Sequence, residues 1–321
     1  MVLKMSISNW PRKFRQHFKH RPSVIAYIFY VPIRLVIAFF SVLPYKILKP
    51  LASVLGLLVL LFERRRRVGL QHLSHAFPGY SQKKLKKVLR QSCQSIALSA
   101  VEAIILAPRY QQKWRQHIDF GEGVEEKLRS YKNKGAIFVQ GHFGSFEFGG
   151  AALGVLGLEP AFPMRLPNNY YLGRDLINAR KQGWGVEIIT RKGAVRQFVK
   201  RLKEGKSIVT ASDQSAHHQP IFIPWFGKLA ATERATAALA LKFGSPVIGL
   251  WCLRDPKKAR YTVYCETIRE SGPAQDADQE NVYNLLLDIH SCLERQILQH
   301  PEQYLWVHDR YRIRPNDELN T

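Results

Sequence analysis

No aspartate or glutamate occurs in the first 62 residues, and within that stretch lies VIAYIFYVPIRLVIAFFSVL, residues 24–43, apolar apart from Pro32, Arg34 and Ser41. A run of this kind is about long enough to cross a bilayer, which takes roughly 20 residues. A second apolar run, Leu51 to Phe62, ends abruptly at Glu63-Arg64-Arg65-Arg66-Arg67. With 12 residues it suits a surface-lying or core helix better than a span. Lys4, Trp10, Arg12, Lys13, Phe14, Arg15, Phe18, Lys19 and Arg21 lead into the first run, a mixture at home at a membrane interface. The run is long for a signal peptide and no small-residue cleavage site precedes the basic cluster. It therefore reads as an uncleaved anchor, spanning or partly inserted, with Arg64 to Arg67 at the anionic cytoplasmic leaflet. A pair of buried core helices is the competing reading. Basic residues flank both sides, so the charge rule for loops chooses no orientation. The chain divides accordingly into a basic, hydrophobic N-terminus, 1–62, and a domain, 63–321.

The domain opens on a helical pattern. Leu85, Val88, Leu89, Ile96, Ala100, Val101, Ile104 and Ile105 fall near one face, Ser81 is a plausible cap and Pro108 a stop. The other face carries Lys83, Lys84, Lys86, Lys87 and Arg90, a solvated surface or a dock for an acidic partner or lipid headgroups. From about residue 118, short apolar runs alternate with helical stretches. AIFVQ (136–140), VEIIT (186–190), SIVTAS (207–212), PVIGLWCL (246–253) and YTVYCET (261–267) read as strands. Helices are expected near 146–156, 170–182, 193–203, 232–243 and 281–299. The rhythm predicts an α/β fold, a layered αβα domain behind an apolar helical anchor. SGPAQDADQE (271–280) reads as a polar surface loop.

With 46% hydrophobic residues the chain can bury a substantial core, which excludes a disordered basic tail. Its four cysteines form no CxxC pair and have no histidine at ligand spacing. The spacing speaks against a disulfide scaffold and a structural zinc site, and the core reads as facing a reducing compartment. The net charge of +23 requires something negative nearby. Nucleic acid would satisfy it, but the apolar run and the lack of any recognised nucleic-acid module speak against that.

The most informative segment is AIFVQGHFGSFEFGG, residues 136–150. A buried strand ends at Gly141, His142 follows, and a glycine-rich turn leads into a helix carrying Glu147. Five apart, the two would not share a face of one continuous helix. With His142 on the loop and Glu147 in the first helical turn, they can meet. Histidine supplies a base near neutrality, and a carboxylate on its other ring nitrogen fixes the tautomer. Ser145 sits in no GxSxG elbow and reads as a helix cap. Asp213-Gln214 follows a strand end, where α/β folds place their sites. His217-His218, without a third ligand, make a poor metal site.

Taken together these segments resemble the bacterial lipid A late (secondary) acyltransferases, the lauroyl and myristoyl transferases of lipopolysaccharide synthesis, within a wider group that includes phosphatidylinositol mannoside acyltransferases. The resemblance covers nearly the whole chain. It runs through the basic-then-apolar N-terminus, LQHLSHAFPGYS (70–81), the His-(x)4-Glu motif at His142 and Glu147, and Arg165 with its following asparagines. Asp213-Gln214, the Phe226-Gly227…Ala230…Thr232 block and PEQYLW (301–306) complete it. The chain departs from its relatives at His217-His218 and at Asp309, positions that bear on the fit of the acceptor.

The resemblance implies transfer of a fatty acyl chain from acyl–acyl carrier protein to a hydroxyl of a lipid A precursor at the cytoplasmic face of the bacterial inner membrane. His142 would be the base and Glu147 would orient it. Arg165, Asn169, Asp213 and Gln214 are the expected substrate-binding residues, with Arg165 on a phosphate and Asp213 hydrogen-bonded to Arg165 or nearby backbone. No metal or cofactor is required, because the thioester is already activated. The same chemistry on another membrane glycolipid or aminolipid, and a thioesterase with water as acceptor, stay open. An acidic carrier protein, a phosphorylated acceptor and an anionic membrane would together account for the basic charge.

Overall fold

The structure, a computed structural model, describes residues 20–190 and 193–315. The basic and aromatic lead at positions 4–19 lies outside the described residues. Helices α1 (Val24–Val42), α2 (Tyr45–Leu58), α3 (Glu63–Ala76) and α4 (Gln82–Val101) come first. The mixed part follows as β1 (Ile118–Phe120), α6 (Val124–Arg129), β2 (Ile137–Gln140), α7 (Phe146–Val155), β3 (Ala161–Met164) and α8 (Tyr170–Trp184). Then come β4 (Glu187–Thr190), α9 (Ala194–Lys203), β5 (Ile208–Ala211), the hairpin β6–β7 (Ile221–Trp225, Lys228–Thr232), α10 (Ala235–Phe243), β8 (Val247–Arg254), β9 (Tyr261–Arg269) and α11 (Gln279–Gln299). A short helix α5 (Ala107–Tyr110) bridges the two parts.

One seven-stranded sheet has the order β1-β9-β8-β2-β5-β3-β4. Strands β8, β2, β5, β3 and β4 run parallel, and β9 turns back antiparallel to β8. Alternation along each strand sends side chains to opposite faces. Ile137 and Val139 of β2, Ile208 of β5 and Val247 and Trp251 of β8 face a core shared with α4, α9, α10 and α11. Phe138, Val209, Ile248, Leu250 and Cys252 face a second core shared with α6, α7 and α8. That is the expected αβα layering. All four cysteines are free.

The five expected strands are present, each within two residues of its predicted ends. Among the described residues four strands, β1, β3, β6 and β7, and the helix α6 are additional. Ser81 caps α4 as expected, its Oγ accepting the Lys84 N–H. Pro108 does not stop the run. A π turn over Glu102–Leu106 follows α4, with the Ala107 N–H reaching back to the Glu102 carbonyl. Pro108, which has no N–H to offer, then sits in the first turn of α5. Ala100 and Ile104 of the predicted apolar face are exposed.

Helix α1 is the one helix among the described residues long and apolar enough to cross a membrane, and almost none of it is buried. The second apolar run behaves differently. Leu48, Ala52 and Gly56 of α2, spaced four apart, are buried, and a Cβ at Gly56 would overlap the backbone of Cys93 and Gln94. Small residues thus let α2 lie directly on α4. Gly56→Val is expected to lever the two helices apart and destabilise the protein by roughly 1–3 kcal/mol or more. Thermal denaturation in detergent reads this out, and an unchanged Tm would mean the contact is not tight.

Candidate active site

Strands β2 and β5 are parallel neighbours with Gln140 opposite Ala211. Two residues beyond each, at the carboxyl edge of the sheet, stand His142 and Asp213. The His142 backbone N–H donates to Asp213 Oδ2 at 2.6 Å, and the ring Nδ1 lies 2.9 Å from Asp213 Oδ1. Burial alone would push the Asp213 carboxyl upward, but the imidazole and these two hydrogen bonds outweigh it and hold it below the usual carboxylate range. An ionised carboxylate only accepts, so Nδ1 carries a proton. The Gln214 amide nitrogen, 3.1 Å from His142 Nε2, only donates, so in this hydrogen-bond arrangement His142 Nε2 accepts.

This corrects the expectation for Glu147. The carboxylate on the second ring nitrogen is Asp213, whereas Glu147 is gripped in bidentate fashion by Arg180, Nε to Oε1 at 2.9 Å and Nη2 to Oε2 at 2.9 Å. Burial raises the Glu147 carboxyl and Arg180 opposes the rise. Arg180, nearly buried on α8, is one of the basic residues of the 162–180 segment, and nothing in the sequence pattern assigns it a role. An arginine in a mixed helix gives no local signal that its partner lies 33 residues away. Asp213 likewise bonds His142 rather than Arg165.

The loop bearing His142 is strapped on several sides. Gly144 has φ of +61°, and a Cβ there would overlap the Cys252 carbonyl, so glycine is required. Its N–H donates to the Gln303 carbonyl at 2.9 Å, and the Leu305 N–H donates to the His142 carbonyl at 3.1 Å. The PEQYLW segment therefore clamps the loop. Ser145 begins α7 but its side chain caps nothing there. Its hydroxyl donates to Glu102 Oε2 at 2.6 Å, inside a buried network in which Arg254 also bonds Glu102, Ser95 and Ser99. Burial would pull the Arg254 guanidinium down, and Glu102 more than reverses this.

Asp213-Gln214 has its own brace. Arg310, 1% exposed, donates to the carbonyls of Gln214 (3.0 Å) and Ser212 (3.5 Å) and to Thr232 Oγ1 (2.8 Å). It thereby holds the backbone on both sides of Asp213. Sequence reading missed Arg310, and its only hint was an arginine set among aromatic residues in the tail.

His142, Glu147, Arg165, Arg180 and Gln214 line one cavity of about 570 Å³. Phe146, Ala151, Phe162, Trp184, Phe198 and Val209 give it apolar walls. Arg165, His217, His218 and Glu233 are exposed at its rim. Asn169 is elsewhere employed. Its Oδ1 accepts the Tyr171 and Leu172 N–H groups as the cap of α8, and its Nδ2 donates to the Ala26 carbonyl of α1. The structure thus gathers His142, Glu147, Arg165 and Gln214 around one cavity, with Asp213 buried behind His142, and assigns Asn169 to a helix end.

An imidazole backed by a carboxylate and facing an apolar cavity with Arg165 at its rim can take a proton from a hydroxyl or water held beside a long apolar substrate. The family model described as bacterial lipid A biosynthesis acyltransferase matches residues 12–313. The chain is similar to the lipid A biosynthesis palmitoleoyltransferase of Escherichia coli (strain K12), 26% identical over 280 residues that cover 86% of this chain and 88% of that protein. It is 27% identical over 286 residues to the lipid A biosynthesis lauroyltransferase of the same organism, covering 85% and 88%. A lipid A biosynthesis acyltransferase of Shigella flexneri is 26% identical over 280 residues, covering 86% and 88%.

Proposed function

The chain belongs to the bacterial lipid A biosynthesis acyltransferase family, and from that premise we propose that it transfers a fatty acyl group from acyl–acyl carrier protein to a hydroxyl of a lipid A precursor. The observation that carries the reading is the Asp213–His142 pair at the head of the apolar cavity. The acyl chain lies along the Phe146, Phe162, Phe198 and Val209 walls. The acceptor hydroxyl replaces the Gln214 amide at His142 Nε2. His142 takes the hydroxyl proton as the oxygen attacks the thioester carbonyl, and the imidazolium that forms is held by Asp213. The tetrahedral intermediate collapses with loss of the carrier's thiolate, which recovers the proton from His142. An alcohol attacking a thioester needs little beyond a base and positioning.

Arg165, exposed at the rim, meets a phosphate of the lipid headgroup or of the donor's pantetheine arm. Glu147 and Arg180 shape the wall beside the reacting carbonyl. The apolar N-terminus keeps the enzyme at the inner membrane, where acceptor and anionic lipid lie, with the site on the cytoplasmic side. The basic surface speeds encounter with an acidic carrier.

The test incubates wild-type and His142→Ala membranes with acyl–acyl carrier protein and an under-acylated lipid A precursor, then weighs the lipid by mass spectrometry. Gain of one acyl chain with wild type alone is expected. Equal gain with the variant would remove His142 from the mechanism. Free fatty acid as the main wild-type product would make water the acceptor, and no gain beside an active control enzyme would redirect the search to another glycolipid.

A further inference from the structure

We propose that α1 does not cross the membrane but lies in the plane of one leaflet, flush against the catalytic domain, so that the cavity rim opens at the level of the lipid headgroups. This rests on the membrane association proposed above and deepens it. An apolar helix of 19 residues is about 28 Å long and long enough to span, so length does not decide the matter. Its attachments do.

Both ends of α1 are tied to the same folded domain. At the start, the Asn169 amide donates to the Ala26 carbonyl at 2.7 Å, and the His20 N–H donates to the Asn168 carbonyl at 3.0 Å. At the end, Arg109 donates to the carbonyls of Ser41 and Leu43. Near mid-length, Tyr30 donates to Asp175 at 2.6 Å, Arg34 lies 3.8 Å from the same carboxylate, and Arg174 pairs with it at 3.2 Å. If α1 stood upright in a bilayer, this cluster would sit near the centre of the hydrocarbon, where ionised groups are expensive. The domain flanking both ends would have to follow it in. Laid flat, the same cluster stays on the protein side of the interface.

The pattern of exposure agrees. Ser23, Ala26, Tyr30, Ile37 and Phe40 fall along one face and are half-buried against the domain. Val24, Ile28, Leu35, Phe39 and Val42 form the opposite stripe and are each at least 61% exposed. The outer side of α2 continues the apolar surface with Leu51, Val54, Leu55 and Leu58. Since no acidic residue occurs before Glu63, an anionic leaflet meets no like charge from this part of the chain. The rim residue Arg165 is three and four residues from Asn168 and Asn169, which hold the start of α1. A lipid acceptor can therefore slide sideways from the leaflet into the cavity with its headgroup at Arg165.

The test uses the full-length chain with Cys265→Ala, since the other three cysteines are buried, and one added cysteine, His20→Cys or Lys46→Cys, on either side of α1. A membrane-impermeant maleimide is applied to spheroplasts and to inverted inner-membrane vesicles. Both positions are expected to label from the cytoplasmic side alone; labelling from opposite sides would overturn the proposal while leaving membrane association intact. A depth probe at Val24, Leu35 or Val42, all on one stripe, is expected to report one shallow depth in phosphatidylethanolamine–phosphatidylglycerol vesicles. A Leu35 probe far deeper than the other two would also overturn it. Recovery of the wild-type chain in the soluble fraction, as a dimer burying this face, would overturn the membrane reading itself.

Discussion

Asp213→Asn is expected to lower the transfer rate roughly 10²–10⁴-fold while leaving the fold intact. Asparagine is nearly isosteric with aspartate, so the brace from Arg310 and the backbone hydrogen bond of His142 have a place to form. What changes is the ring proton. A carboxylate can only accept from Nδ1, whereas an amide can present its NH₂ group there and drive the proton to Nε2. The lone pair that should face the acceptor is then gone, and the charge that would stabilise the imidazolium goes with it. The loss should fall on kcat and appear without a change in Tm. Glu147→Gln should also lose activity, by another route. It leaves Arg180, 9% exposed at its side chain, without its bidentate partner, so its loss should come with a lower Tm. If Asp213→Asn retains near wild-type rates and Glu147→Gln loses them at constant Tm, the orienting role returns to Glu147.

Glu102→Gln is expected to have the largest effect on stability. The Glu102 side chain is wholly buried, with Arg254 at 6% exposure beside it. The pair's own net contribution is small, because bringing both charges out of water costs about as much as their attraction returns. Removing one partner is different. It strands a buried guanidinium and costs roughly 3–5 kcal/mol, a fall in Tm on the order of 10 °C for a chain of this size. Glutamine keeps one acceptor oxygen where Ser145 and Arg254 now share two, so one of them is left short, and the loop carrying His142 would loosen where Ser99 Oγ now donates to the Gly144 carbonyl at 3.1 Å. The check is a double replacement, Glu102→Leu with Arg254→Met, which removes both charges and should recover much of the stability lost by Glu102→Leu alone. A double variant no more stable than that single one would mean the network does more than satisfy its own charges.

The main strands, the glycine-rich turn, the histidine and the apolar first helix were all legible locally. Period-two runs of branched and aromatic residues mark a strand wherever it ends up, and a histidine beside glycines at a strand end is visible without knowing the neighbours. The misses have physical reasons. Strand β3 contains Pro163, which argues against a strand; it is tolerated because β3 pairs with β5 only at Ala161. The β6–β7 hairpin turns through Phe226 and Gly227 at φ of +48° and +75°. A two-residue turn of that kind is normally announced by Asn-Gly or Asp-Gly, and a phenylalanine gives no such notice.

What tertiary structure alone decided is which carboxylate hydrogen-bonds His142. Glu147 is five residues away and Asp213 seventy-one, so proximity in sequence favours the wrong one. The choice is made by β5 lying beside β2 with Gln140 opposite Ala211, which brings two loops to the same edge at equal offset. Strand order is a property of the whole sheet, set by how the helices pack on both faces, and no local pattern encodes it. The posture of α1 was decided in the same way. Its apolar composition is plain in the sequence, and only the side chains of Asp175, Asn169 and Arg109, drawn from distant helices, fixed how it packs on the rest of the protein.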